Sequence, residues 1–250
     1  MNFGVSSMVL PLKKVALLRP GASLLEADIN KWHYSNIFNP DKVQGIYNNF
    51  VNLLTDEGVE IFWIEENTNI ADAIFTYDAS MMTKSGAILM SPGKELRKGE
   101  QNIHRNFYKH NNIPIIGEIT GKATAEAGDT LWLDDNSLIV GKGFRTNQEG
   151  VNQIKEIMKP LQVNVFQFDI PVYMGTEACL HLMSLISLVD HRKALVYPPL
   201  LPVSLFKLLE EKGFTLINAP EDEFLSSQTL STNILTISPR KCIMIDGFPK

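Results

Sequence analysis

Five short apolar runs recur along the chain, each entered through a small or basic residue: KKVALL from Lys13, SGAILM from Ser85, NSLIVG from Asn136, RKALVY from Arg192 and RKCIMI from Arg240. Runs of this kind, with Gly or Pro close behind as in Arg19-Pro20-Gly21 and Asp246-Gly247, read as strands. Their third residues, Val15, Ala87, Leu138, Ala194 and Cys242, are spaced by 72, 51, 56 and 48 positions. A helical segment and a second apolar run follow each of the first four. Asn39 and Pro40 open the first helix, with Val43, Tyr47, Phe50 and Leu54 on one face and Gly58 just past its end. Thr146 and Glu149 make a capping box for the third, which buries Val151, Ile154 and Met158. Ser204 caps the fourth, which ends in Lys212-Gly213. The returning strands read VEIFWI, IPIIGEI, VNVFQFDI and FTLINA. After each comes a polar loop, another strand and a tight turn: Lys84-Ser85-Gly86, Asp134-Asp135-Asn136, Asp190-His191-Arg192 and Ser238-Pro239-Arg240.

The repeating unit is thus strand, helix, strand, loop, strand. Five approximate copies predict an α/β chain folded as a five-fold pseudo-symmetric propeller of ββαβ-type modules around an axis, with a plain α/β sandwich as the other arrangement open to it. Residues 1–250 are expected to form one domain. The last copy starts with RKCIMIDGFPK and stops there. A βαβ segment needs roughly 30 residues, so the fifth module is expected to be incomplete and the chain to be truncated at its C-terminus.

Composition narrows the partners. With 250 residues, 44% of them apolar, there is material for a large core. A net charge of -5 and no Lys/Arg-rich run argue against nucleic acid as the main partner. The longest uncharged apolar stretch, Ala178 to Val189, is too short to span a bilayer, so no membrane association is expected. The first residues lack a basic segment ahead of an apolar one, which argues against a secretory signal. Cys179 and Cys242 sit among apolar neighbours and read as reduced, structural thiols of a cytoplasmic protein; a homo-oligomer stays open.

The polar loops carry the candidate chemistry. The first offers Asp72 and Asp78, the second Glu126 and Asp129, the third Glu177 and His181, the fourth Asn233. Asp78, Asp129 and Asn233 each lie nine residues before the third residue of the next repeated strand, which makes them comparable positions. Carboxylates meeting on an apolar axis cost several kcal/mol per ion unless a cation joins them. No His pair or Cys–His spacing suits zinc and no EF-hand loop occurs, so no metal is expected. A planar guanidinium, which carboxylates grip bidentately, fits better.

Three motifs then carry a resemblance: EAGD at Glu126 to Asp129, FRTNQEG at Phe144 to Gly150, and LHL at Leu180 to Leu182. In this order, on the repeat, they resemble the guanidino-group-modifying superfamily with the pentein fold, and within it the compact dimethylarginine dimethylaminohydrolases. The resemblance runs over essentially the whole chain. It implies that Asp78 holds the substrate guanidinium, that Phe75 flanks it and that Asp72 supports the loop. It implies that Glu126 is the catalytic glutamate and His181 the general acid/base, and that Arg97 and Arg145 grip the α-carboxylate of an arginine-like substrate. The reaction implied is hydrolysis of a guanidino C–N bond through a cysteine thiolate, with neither metal nor organic cofactor. That cysteine lies, in the family, in the C-terminal segment expected to be missing here; Cys242, in a core strand, and Cys179 are poor replacements. Tyr77 departs from the acid that bacterial members carry before Asp78, which opens free arginine or a related guanidine as substrate. An amidinotransferase and a non-catalytic guanidine-binding protein or inactive fragment are the alternatives.

Plainer readings stand beside these. Asp129 could cap a turn in which Gly128 supplies an unusual backbone angle, His181 could be a satisfied half-buried histidine, and Arg97 could be solvent-exposed. Arg145 could pair with Glu149. His33, His104, His110, His191 and Glu177 read as surface groups.

Overall fold

The computed structural model describes residues 3–65, 68–176 and 180–247 and has a mixed α/β fold. β1 (Lys14–Leu17) runs parallel to β2 (Glu60–Trp63), with α1 (Pro40–Asp56) between them. Three like units follow. The first is β3 (Ser80–Thr83), β4 (Gly86–Leu89), α2 (Glu100–His110) and β5 (Ile115–Glu118). The second is β6 (Thr130–Asp134), β7 (Ser137–Lys142), α3 (Gln148–Met158) and β8 (Asn164–Asp169). The third is β9 (Ile186–Asp190), β10 (Lys193–Val196), α4 (Val203–Glu211) and β11 (Thr215–Asn218). A last hairpin joins β12 (Leu235–Ser238) to β13 (Lys241–Ile243).

In each of the three full units the middle strand pairs antiparallel with the strand before it and parallel with the strand after the helix. A tight turn serves the first pairing; the second needs a crossover, which the helix supplies. The repeated apolar runs of these units are the middle strands, and their lack of alternation has a simple cause. Ala87 and Leu89 of β4 pack with Ile103 and Phe107 of α2, while Ile88 and Met90 pack with Leu138, Val140 and the Val151, Ile154 and Met158 face of α3. A strand covered on both faces is apolar at every position. Ile139 of β7 in turn packs into a third core with Leu188, Ala194 and Val196. Each unit therefore shares a core with the next.

A fourth core joins the two ends of the described chain: Leu17, Leu54 and Val59 pack with Ile237. The Leu12 N–H donates to the Ile237 carbonyl at 2.7 Å, and Lys241 pairs with Glu57 at 2.6 Å. Among the described residues the strands form five separate sheets, not one continuous ladder, and the first and last sheets have two strands where the others have three. The backbone pairing thus shows the α/β units without a closed propeller. No helix among the described residues is long and apolar enough to cross a membrane.

Several local expectations change. Asn39 does cap α1, its side chain accepting from the Lys42 N–H. The cap of α3 is Asn147, accepting from Gly150 N–H at 2.8 Å, and Thr146 is buried elsewhere. Ser204 lies inside α4, behind Pro202 at the cap position, where no side-chain bond is made. Cys242 is half-buried on β13, with Sγ 3.4 Å from Thr236 Oγ1.

Candidate active site

Three loops, each preceding the first strand of a full unit, bring their polar residues together. Each contains a short 3-10 turn that fixes the chain just before or after the polar residue: Ala71–Ile74 ahead of Asp78, Ala127–Asp129 after Glu126, and Leu182–Ser184 after His181. Single ligand atoms of Asp78, Glu126 and His181 lie within 4.8 Å of one another. Glu126 and Asp129 are buried to 1% and 0% exposure. Asn233, the comparable position of the fourth loop, is exposed. Glu177 and Cys179 lie outside the described residues.

His181 stands between two carboxylates. Its Nδ1 is 3.1 Å from Asp129 Oδ1 and its Nε2 is 3.3 Å from Glu126 Oε2. Asp129 is fixed from behind, since Oδ1 also accepts from the Leu182 N–H and Oδ2 accepts from Thr146 Oγ1 at 2.6 Å. Thr146 Oγ1 accepts from the Glu126 N–H at 3.2 Å, so one hydroxyl ties both acids together. Glu126 Oε1 accepts from the N–H groups of Gly93 and Lys94 at 2.9 and 3.2 Å. Asp78 accepts from the Gly128 N–H on Oδ1 and from Arg97 Nη1 on Oδ2, at 3.0 and 2.7 Å.

Two glycines are required by close approach. A Cβ on Gly128 would lie 2.7 Å from Asp78 Oδ1 and 3.0 Å from His181 Cγ. Its role is therefore room for both side chains, with no left-handed backbone angle involved. A Cβ on Gly93 would lie 2.5 Å from the Arg145 carbonyl oxygen. The backbone bridge between Ser91 and Ala125 holds the same two loops together.

The arginines differ. Arg97 is 4% exposed, which excludes the solvent-exposed reading. Its Nε and Nη2 bind Glu100 bidentately at 2.8 Å each, Nη1 binds Asp78, and Nη2 also reaches the Phe75 carbonyl at 3.3 Å. As it stands the fork is engaged by the protein. Arg145 is half-buried, and its charge reaches Glu126. Asp72 accepts from Tyr34 OH at 2.5 Å and from Lys94 Nζ at 2.7 Å, so it braces its loop. Phe75 is 53% exposed. His104 is buried and bonded to Ser80 at 2.8 Å, unlike the exposed His33, His110 and His191. Thr146, Lys94, Gly93 and Glu100 were not singled out from sequence as site residues; the charge-rich SPGKELRKGE stretch was the available signal for three of them.

Burial alone would raise the Glu126 pKa, but His181, Arg97 and Arg145 outweigh it and hold it down to about 2. A carboxyl depressed from its ordinary 4.5 adds stability that is complete above that value and is lost as pH falls towards 2. The gap corresponds to about 3 kcal/mol. Urea unfolding of wild type and Glu126→Gln should therefore give stability differences that narrow as pH falls from 5 to 3. A pH-independent difference would contradict the assignment.

Asp78, Glu126 and His181 could also offer three donors to a metal ion. Arg97 Nη1, 2.7 Å from Asp78 Oδ2 and 3.8 Å from Glu126 Oε2, already occupies a carboxylate lone pair that such an ion would need. A flat, delocalised cation can instead use the in-plane lone pairs that remain on the two carboxylates.

Comparison with known proteins bears on the family and the fold. A family model described as arginine deiminase matches residues 67–210. An uncharacterized protein of Caenorhabditis elegans is 24% identical over 188 residues, 75% of this chain, which spans 64% of that relative's length. A dimethylarginine dimethylaminohydrolase of Pseudomonas aeruginosa is 24% identical over 220 residues, covering 86% of this chain and 79% of that protein. A solved structure of the Pseudomonas aeruginosa enzyme in complex with citrulline superposes with a TM-score of 0.77 at 22% identity, covering 96% of this chain and 86% of that one. At that identity the superposition speaks for the fold.

Proposed function

The chain belongs to the arginine deiminase family, within the guanidino-modifying pentein proteins, and from that premise we propose that its site serves hydrolysis of a guanidino C–N bond in an arginine derivative. The observation that carries the reading is the meeting of Asp78, Glu126 and His181 from three separate units around one point, with Glu126 held ionised. The citrulline bound by the Pseudomonas aeruginosa relative is the ureido product type that such a reaction would release.

In this reading Asp78 and Glu126 hold the planar guanidinium edge-on. A cysteine thiolate attacks its central carbon, forming a C–S bond while one C–N bond breaks. His181 gives its proton to the departing amine or ammonia. The covalent thiouronium is then attacked by water, one of whose protons returns to His181 while the other passes to the released amine or ammonia. The C–S bond breaks to leave a ureido product and the thiolate. Arg145, the arginine with its fork less engaged, takes the α-carboxylate; Phe75 flanks the cation and Asp129 keeps the imidazole in place.

Cys242 sits on β13 against Thr236 and suits a structural thiol, while Cys179 lies outside the described residues. β1 has a parallel partner but no antiparallel one among the described residues, and β13 has the reverse, so a helix and two further strands, one for each sheet, would complete a ring of five three-stranded modules. The shared core of Leu17, Leu54 and Ile237 supports that ring. Reading the transcript past codon 250 tests it: a Cys codon roughly 30 residues on, and release of amine or ammonia from arginine or dimethylarginine by the longer protein, are expected. A stop codon at that point would favour a non-catalytic guanidine-binding protein.

A further inference from the structure

An arginine inside a pocket meant for a cation is a contradiction that the structure resolves through one residue. Arg97 donates to Asp78 at 2.7 Å, and a +1 charge there cancels the −1 that should attract a substrate guanidinium. Behind Arg97, on the side away from Asp78, lies Glu100, with both carboxylate oxygens on the same guanidinium. We infer that Glu100 is a positioning residue that neutralises Arg97 from behind, so that Asp78 keeps its charge for a cationic ligand. This deepens, and rests on, the guanidino reading.

The local structure is built for that contact. Arg97 closes the 3-10 turn Glu95–Arg97, and Glu100 is the first residue of α2. Between them Gly99 takes a left-handed φ of +104°, which glycine adopts freely and which swings the helix start back over the turn. Lys98 points outward to Glu95, leaving Arg97 and Glu100 to face each other at 4% and 2% exposure. A buried ion pair of this kind is kept for what it positions more than for what it stabilises. Arg97 also fixes Asp78 Oδ2 while the Gly128 N–H fixes Oδ1, which sets the plane of the carboxylate. Of the other acids near Arg97, Glu126 reaches it only at 3.8 Å and is itself paired with His181 at 3.3 Å. Asp72 is taken by Tyr34 and Lys94, and His104, one turn along α2, is driven down to about 4 by burial and by Arg97 and so stays neutral.

The test uses a charged and a neutral ligand of nearly one shape. Burial pushes the Glu100 carboxyl up to about 7 against the pull of Arg97, so calorimetry with L-arginine and L-citrulline is run above that pH, where Glu100 is ionised, on the 250-residue chain, Glu100→Gln and the double variant Arg97→Gln/Glu100→Gln. In Glu100→Gln the preference for arginine over citrulline should fall by at least about tenfold, a lower bound on the effect of one unit charge at short range in a protein interior. Removing Arg97 as well should bring the preference back to the wild-type value or above. Equal loss of both ligands would mark Glu100 as a merely structural residue, and an unchanged preference would refute the proposal. If Glu100→Gln does not fold, the double variant decides alone, since a preference below wild type contradicts the compensation. A wild-type chain that binds neither ligand overturns the guanidino reading and this inference together, whereas wild-type binding with a wrong response of the variants overturns this inference only.

Discussion

Replacing His181 by alanine is expected to lower release of amine or ammonia by about 10²- to 10⁴-fold, the range typical of a positioned acid/base. The imidazole is flanked by carboxylates at both nitrogens, 3.1 Å from Asp129 and 3.3 Å from Glu126. Two flanking anions favour the protonated ring, which is the form needed to donate to a leaving amine. The substitution also takes from Glu126 the neighbour that does most to keep it ionised, so the guanidinium loses part of its grip as well. Steady-state assay of the protein carrying its cysteine checks this, with added imidazole as a rescue. Undiminished turnover would remove His181 from the mechanism.

Asp78→Ala is expected to abolish measurable arginine binding, a loss of at least about 100-fold, and to lower stability by about 3–5 kcal/mol. Both effects have one origin. The carboxylate is the counter-ion of Arg97, which is nearly sealed from water, and it accepts the Gly128 N–H. Alanine leaves a buried cation compensated on one side only, and an N–H without its acceptor. Asp78→Asn keeps the shape and removes the charge, so it should fold better and still bind poorly. Calorimetry and urea unfolding separate the two consequences; arginine affinity equal to wild type would discredit the pocket.

Much of the architecture could be read from the chain because strands buried on both faces leave an unmistakable record. Runs such as Ala87 to Met90 have no polar position to confuse them, and the four hairpin turns fall where Gly, Asn, Asp and Pro cluster. Periodicity is silent on how separate sheets pack on one another, because side-chain cores, not hydrogen-bonded ladders, hold these units together. At the site, Asp78, Glu126, Asp129, Arg97 and His181 form one cluster of hydrogen bonds and ion pairs, with the Arg97 fork on Asp78 and Glu100. The errors lie where a side chain's local and long-range options compete. Thr146 has the spacing of a helix cap, but a buried Asp129 is a better acceptor for its hydroxyl than the helix start is a donor to it, and Asn147 takes the cap. His104 looks like a surface histidine in a polar helix until the fold places Ser80 and Tyr108 beside it. Arg97 could not be told from an exposed arginine without knowing that Glu100 turns inward.

The glycines beneath the site bear on how its specificity could be redesigned. Gly93 lies under Arg145, Gly128 under Asp78 and His181, and Gly150 so close to the Thr124 carbonyl that a Cβ would come within 2.0 Å of its oxygen. Where main chain presses on main chain, mutational libraries yield misfolded protein and no new chemistry. Phe75, Tyr77 and Phe144, by contrast, are 53%, 45% and 53% exposed and can be exchanged without moving the frame. Substitutions confined to these three exposed positions leave the glycine-packed frame untouched.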